Sequence, residues 1–99
     1  MNSYDVYLED ELIDTVFYDG TAKDCKKGLI EHDGYDPNIE IEVQLYNIEV
    51  EYKQKGIEKE IVEEDLEAEE AESYVNEYIM YDNIYSSVTC EKQEFLSYI

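Results

Sequence analysis

The chain has one histidine, His32, two cysteines, Cys25 and Cys90, and 27 Asp and Glu residues, and any acid–base, nucleophilic or metal chemistry would have to be built from these. A Ser-His-Asp or Cys-His arrangement would run through His32. That residue stands in Glu31-His32-Asp33-Gly34, where the spacing predicts the end of a helix. A cation there offsets the helix dipole, and Gly34 helps to stop the helix. No G-x-S-x-G nucleophile elbow is present. Zinc needs about four Cys or His ligands at short spacing, and two Cys 65 positions apart with one His do not supply them. The EF-hand order of D-x-[DN]-x-[DN]-G with a distal Glu is absent, and the four glycines lie singly at turns rather than in a phosphate loop. Paired carboxylates can be drawn from every region and therefore distinguish nothing. The residues predict a protein that is not an enzyme, with no cofactor and no metal.

What remains is charge. The chain sets 27 acids against 7 Lys and no Arg, a formal charge of −20 in 99 residues. A small domain needs a magnitude of only about 2 to 8 for solubility, and more than that repels itself. Nucleic acid and anionic membranes are gripped through Lys and Arg, so they are excluded as direct partners. The expected partner is a basic protein. The acids are densest over residues 58–77, in Glu58, Glu60, Glu63, Glu64, Asp65, Glu67, Glu69, Glu70, Glu72 and Glu77, with Lys59 the one base among them. A helix running over residues 65–77 would rise about 18 Å. Its six carboxylates would then fall every 3 to 4 Å or so, near the roughly 3.4 Å per charge of one DNA strand. Glu40, Glu42, Glu49 and Glu51 are predicted on outward strand faces, with Asp10, Glu11 and Asp14 at the first hairpin. A charge run can equally be a solvated face, and it is the spread of acids over strands, turns and helix that favours a binding surface. Eleven tyrosines add contact area. Tyr74, Tyr78, Tyr81 and Tyr85 gather near the end of the second helix, where they either seal it against a sheet or, at Tyr81 and Tyr85, meet a cationic partner.

The elements that carry these residues follow from periodicity. Tyr4-Asp5-Val6-Tyr7-Leu8-Glu9 alternates, Asp10-Glu11 interrupts, and Leu12-Ile13-Asp14-Thr15-Val16-Phe17-Tyr18 resumes, which predicts a hairpin. Thr21 is a candidate N-cap, and Ala22, Cys25 and Leu29 share one face of a helix over residues 22–31. Ile39, Ile41 and Val43 alternate with acids and predict a third strand. The second half repeats the plan. Ile48, Val50 and Tyr52 point inward, Lys55-Gly56 turns the chain into residues 57–62, and Asp65 caps a helix with the stripe Ala68, Ala71, Val75, Tyr78 and Ile79. Residues 84–90 read as a closing strand, and 91–99 as either a short helix or an extended tail. The inward residues change from odd to even numbers at Leu45-Tyr46-Asn47, which requires a bulge or bend. The expected fold is α+β, with two ββαβ-like units over residues 1–45 and 46–99 forming antiparallel sheets with helices on one face. The two units are read as one compact folding unit.

Small size, extreme acidity, no catalytic constellation and the acid-dense run at 58–77 together resemble the DNA-mimicking inhibitors of host defence carried by phages and mobile elements, of the anti-CRISPR and anti-restriction kind. The segment from Tyr4-Asp5-Val6-Tyr7-Leu8 to Leu29-Ile30-Glu31-His32-Asp33-Gly34-Tyr35-Asp36-Pro37 is also similar to short phage and plasmid proteins. The resemblance implies a non-enzymatic inhibitor that covers the basic nucleic-acid-binding surface of a bacterial defence nuclease complex. The alternative is an acidic adaptor that docks a basic host factor or self-associates, as a homodimer, through its Tyr patch. The N-terminal residues lack the basic and apolar regions of a signal peptide, and no apolar run is long enough to span a membrane. A cytoplasmic location in a bacterial host, with free and mostly buried thiols, is the expectation.

Overall fold

The computed structural model describes residues 1–99 and divides into two units, one of Met1–Val43 with Leu96–Ile99, the other of Gln44–Phe95. The fold is α+β with two antiparallel sheets.

In the first unit β1 (Asn2–Leu8) and β2 (Glu11–Tyr18) form the expected hairpin. Its two-residue turn is Glu9-Asp10, with φ of 52° and 65°. Positive φ at both central positions is the geometry whose twist matches that of the flanking strands. Ile13 is an extra residue in β2, because Val6 pairs with Asp14 and Tyr7 with Leu12. Gly20 ends the hairpin at φ 147°, and a Cβ there would lie 2.8 Å from the Tyr18 ring. The Tyr4 hydroxyl donates to the Gly20 carbonyl at 2.6 Å. α1 (Ala22–Glu31) then starts at Thr21, whose hydroxyl accepts the Asp24 amide at 3.2 Å. It buries Ala22, Cys25 and Leu29, the stripe read from spacing. β3 (Glu40–Val43) pairs antiparallel with β1 and carries the buried Ile41 and Val43. The tail, whose conformation the sequence left open, supplies β7 (Ser97–Tyr98), which pairs with β3. The sheet order is β2-β1-β3-β7.

The second unit has β4 (Tyr46–Tyr52), β5 (Glu60–Leu66), α2 (Ala68–Tyr78) and β6 (Tyr85–Lys92), with order β5-β4-β6. Both units thus place their first strand between the second and third, in ββαβ order. Ile48, Leu66 and Ala71 form the core beneath α2, with Tyr46, Val62, Tyr74, Val75, Tyr78 and Val88 packed against them. Full burial of a side chain the size of Ile48 or Leu66 stabilises by about 1.5 to 3 kcal/mol.

Three expectations are corrected. The unit boundary falls at Val43/Gln44 rather than Leu45/Tyr46, and Leu96–Ile99 returns to the first unit. The second strand of the later hairpin is Glu60–Leu66, not 57–62, because residues 53–59 form a longer exposed connection with Gly56 at φ 88°. The cap of α2 is Glu67, not Asp65. Asp65 is still in β5, at φ 57°, where a bulge sets it and Glu64 in the register gap between Leu66 and Glu63. The Asp65 amide donates to Asn47 Oδ1 at 3.2 Å, and Gln93 Nε2 donates to Asp65 Oδ1 at 2.7 Å and to Asn47 Oδ1 at 2.9 Å. This side-chain clamp holds a conformation that non-glycine residues rarely adopt. The phase change at Leu45-Tyr46-Asn47 is present: Leu45 is buried, and burial resumes at Ile48 and Val50.

Candidate functional site

The acidic run is distributed over three settings rather than one helix row. Glu58 lies in the exposed connection, and Glu60, Glu64 and Asp65 are exposed along β5. Glu63 is half-buried and its Oε1 accepts the Tyr78 hydroxyl at 2.9 Å. Glu67 is 3% exposed. It forms a capping box with Glu70, whose Oε1 accepts the Glu67 amide at 3.2 Å while the Glu67 side chain takes the Glu70 amide. Two of the expected surface charges are therefore spent on starting the helix, because N–H groups of the first turn have no other partner. Glu69, Glu72 and Glu77 are the exposed acids of α2, turned away from the stripe that contacts the sheet. The 11 residues of α2 rise about 16 Å and carry four acids, not six. Glu69 and Glu72 stand about 4.5 Å apart along the axis, and Glu72 and Glu77 about 7.5 Å. The dense single-strand spacing is therefore not reproduced by the helix alone.

What does hold is a stretch of chain without bases. No Lys or Arg occurs between Lys59 and Lys92, a span holding eleven acids. By unit, twelve acids face three Lys in the first and fifteen face four in the second. The open face of the second sheet adds to it. Glu49 is opposite Thr89 and Glu51 opposite Ser87 across β4 and β6, and Asn47 is opposite Glu91. Glu49, Glu51, Glu91, Ser87 and Thr89 surround a recess of about 150 Å³ that contains one cation, Lys59. A hydrogen bond to Glu49, which holds the protonated form, and the Glu49 charge push the Glu91 carboxyl above the usual range, with Lys59 opposing.

The tyrosines form a connected group at the C-terminal end of α2. Ring centroids lie 5.3 Å apart for Tyr52 and Tyr85, 5.9 Å for Tyr78 and Tyr85, and 6.5 Å both for Tyr74 and Tyr78 and for Tyr81 and Tyr85. Tyr85 is the half-buried hub, and Tyr81 is 45% exposed at the margin. The Tyr52 hydroxyl donates to Glu60 at 2.5 Å. This bond holds the Tyr52 phenol neutral, while burial first and then its bond to Glu63 do so for Tyr78, and both are pushed up to about 12. Beside them Ile79, Met80 and Ile84 are exposed, Met80 at 79%. In the first unit Tyr7 and Tyr98 meet edge to face at 5.4 Å, and both hydroxyls donate to Glu42 Oε2, at 2.9 and 3.3 Å.

His32 is an exposed C-cap whose amide donates to the Gly28 carbonyl at 2.9 Å. Cys25 is 1% exposed in the first unit, and Cys90 is exposed in the second. Burial of both thiols was expected, and Cys90 corrects it. It pairs with Ile48 and so is on the helix-facing side of the sheet, at a margin that α2 does not cover. Glu91 was missed as part of the acidic face because it was placed in the tail. The Ser86/Val88/Cys90 alternation could have extended the strand through it. No group of His, Cys, Asp and Glu is arranged to hold a metal ion, and no helix is long and apolar enough to cross a membrane. No family model, curated protein or solved structure matches the chain.

Proposed function

We propose that the protein is a non-enzymatic inhibitor that covers the basic nucleic-acid-binding surface of a bacterial defence nuclease complex, of the anti-CRISPR or anti-restriction kind. The observation that carries this reading is the run from Glu60 to Glu91, which puts exposed acids on β5, α2 and β6 with no basic residue between them in the chain. Phosphate-binding grooves present Lys and Arg over a comparable extent, and a dense carboxylate surface competes for the same cations. The mimicry is of a charged surface rather than of one strand, since α2 alone spaces its acids too widely.

The test begins by capturing targets from nuclease-treated bacterial lysate and then titrating the captured complex with DNA and RNA. Nucleic acid should displace the protein, and Glu69→Lys, Glu72→Lys and Glu77→Lys together should weaken binding by tenfold or more, with affinity falling as salt rises. Reversing Glu9, Glu11 and Asp19 in the first unit is the control and should cost far less. Simultaneous binding of protein and saturating nucleic acid overturns the competitive reading.

A second reading is favoured by Ile79, Met80, Tyr81 and Ile84, an exposed apolar group beside the tyrosines. It would make the protein an adaptor that self-associates or docks a basic host factor. Sedimentation at several salt concentrations separates the two, because an apolar interface tightens or holds as salt rises while an ionic one loosens.

A further inference from the structure

β6 is the edge of its sheet, paired on one side only with β4. Edge strands are normally protected by charges, prolines or covering elements, because their free N–H and C=O groups accept another strand. β6 has none of these over most of its length. Residues 83–90, Asn83-Ile84-Tyr85-Ser86-Ser87-Val88-Thr89-Cys90, hold no charged side chain and no proline, although a third of the chain is charged. Six of the eight β6 residues are exposed. The two sides of this edge differ chemically. On the helix side lies a groove of about 310 Å³ whose lining includes Ala68, Ala71, Val75, Tyr46 and Cys90. On the other side lie Glu49, Glu51 and Glu91 with Lys59 alone to balance them.

We infer that β6 accepts an extended segment of a basic partner as an added strand, with alternate apolar side chains entering the α2/β6 groove and the intervening Lys or Arg side chains lying against Glu49, Glu51 and Glu91. The side-chain period of two in a strand requires this alternation. Main-chain pairing supplies binding energy, and the two faces supply selectivity. The occupant is cationic rather than a second copy of the chain. Pairing β6 with its own copy would add the copy's three carboxylates to a sheet face that already sets Glu49, Glu51 and Glu91 against Lys59 alone. The inference rests on the proposed reading only for the basic character of the partner.

Cys90 is a built-in reporter, because it lies in the groove while Cys25 is shielded. The experiment uses the intact chain, a six-residue peptide of alternating valine and lysine, and a thiol reagent. At saturation the peptide should slow modification of Cys90 by about tenfold or more and shift the backbone amide resonances of residues 85–92. A peptide of the same composition with its valines in one block, an alternating valine–glutamate peptide, and an alternating valine–lysine peptide N-methylated along one edge should each do neither. Thr89→Lys, placed opposite Glu49, should weaken the alternating peptide about tenfold, equivalent to about 1.4 kcal/mol. Equal protection by the block or N-methylated peptide, or none by the alternating peptide, overturns strand addition. A chain dimeric at all salt concentrations with Cys90 already shielded also overturns it. The assay contains neither nucleic acid nor target, so its failure leaves the competition result untouched, and the reverse also holds.

Discussion

At the scale of single residues, the carboxylates divide by what their oxygens accept. Glu42, Glu60 and Glu63 accept tyrosine hydroxyls, Glu67 and Glu70 accept helix amides, and Asp14 accepts the Tyr35 hydroxyl at 2.5 Å. The phenol–carboxylate bonds, together with burial, which is the larger cause at Tyr78 and Tyr98, give a pH dependence of definite sign. Tyr7, Tyr52 and Tyr78 are raised from 10.0 to about 12, and Tyr35 and Tyr98 are raised as well. The folded state holds these protons more tightly than the unfolded chain does, so the stabilisation is complete below pH 10 or so and is lost as pH rises through about 12. Ultraviolet titration of the eleven tyrosines should show a late-ionising fraction, and thermal stability should fall across the same window. Tyr7→Phe should remove one late proton without unfolding the chain. A single titration at the ordinary value would refute the hydrogen-bonding scheme. None of this was legible in sequence, where Glu63 and Glu67 looked identical to Glu69. Helix phase and burial separate them, and both depend on where the helix begins.

At the scale of elements, legibility followed the clarity of the period. α1 is legible to the residue because Thr21 and the Ala22/Cys25/Leu29 stripe agree, and β3 to within a residue because Ile39, Ile41 and Val43 alternate cleanly with acids. The β5–α2 junction was misplaced because Glu and Asp are frequent on both sides, so no residue type marked the boundary and Asp65 looked a better cap than Glu67. The β1–β2 turn is a different case, since the interruption reads one residue late in the sequence, at Asp10-Glu11, and the chemistry of the turn is unusual. Glu9 and Asp10 occupy positive-φ positions that favour Asn-Gly. Replacing them with Asn and Gly should therefore stabilise the protein by about 0.5 to 2 kcal/mol, measured by chemical unfolding. No gain would mean that Glu9 and Asp10 make compensating contacts in the turn.

At the scale of the whole molecule, the formal charge of −20 is a repulsive load on folding as well as a binding resource. Raising salt from about 10 mM to about 1 M shortens the screening length from about 30 Å to about 3 Å. The melting temperature should accordingly rise by several degrees over that range, about 4 to 8 °C for each kcal/mol of repulsion removed. Scanning calorimetry reads this directly, and a melting temperature indifferent to salt would show that the acids are locally compensated. The duplicated ββαβ plan was visible as pattern, whereas the return of the last strand was not. Ser97-Tyr98 is too short for its period to announce a strand, and its pairing with β3 depends on everything folded between them.

That return predicts an order of events for folding, which hydrogen exchange at the Ile41 and Ile99 amides would read. Val43 pairs with Ser97, so the whole of Gln44–Phe95 is a closed loop between two neighbouring strands of the first sheet. Closing some fifty unstructured residues costs on the order of 3 to 4 kcal/mol. Once Tyr46 has paired with Lys92, the same closure spans only a few residues on each side. The nested segment therefore acts as an entropic latch. When it is folded, β7 docks onto β3 at little cost, and when it melts, the Ile41 and Ile99 amides lose the mutual protection of their paired hydrogen bonds, both at 2.9–3.0 Å.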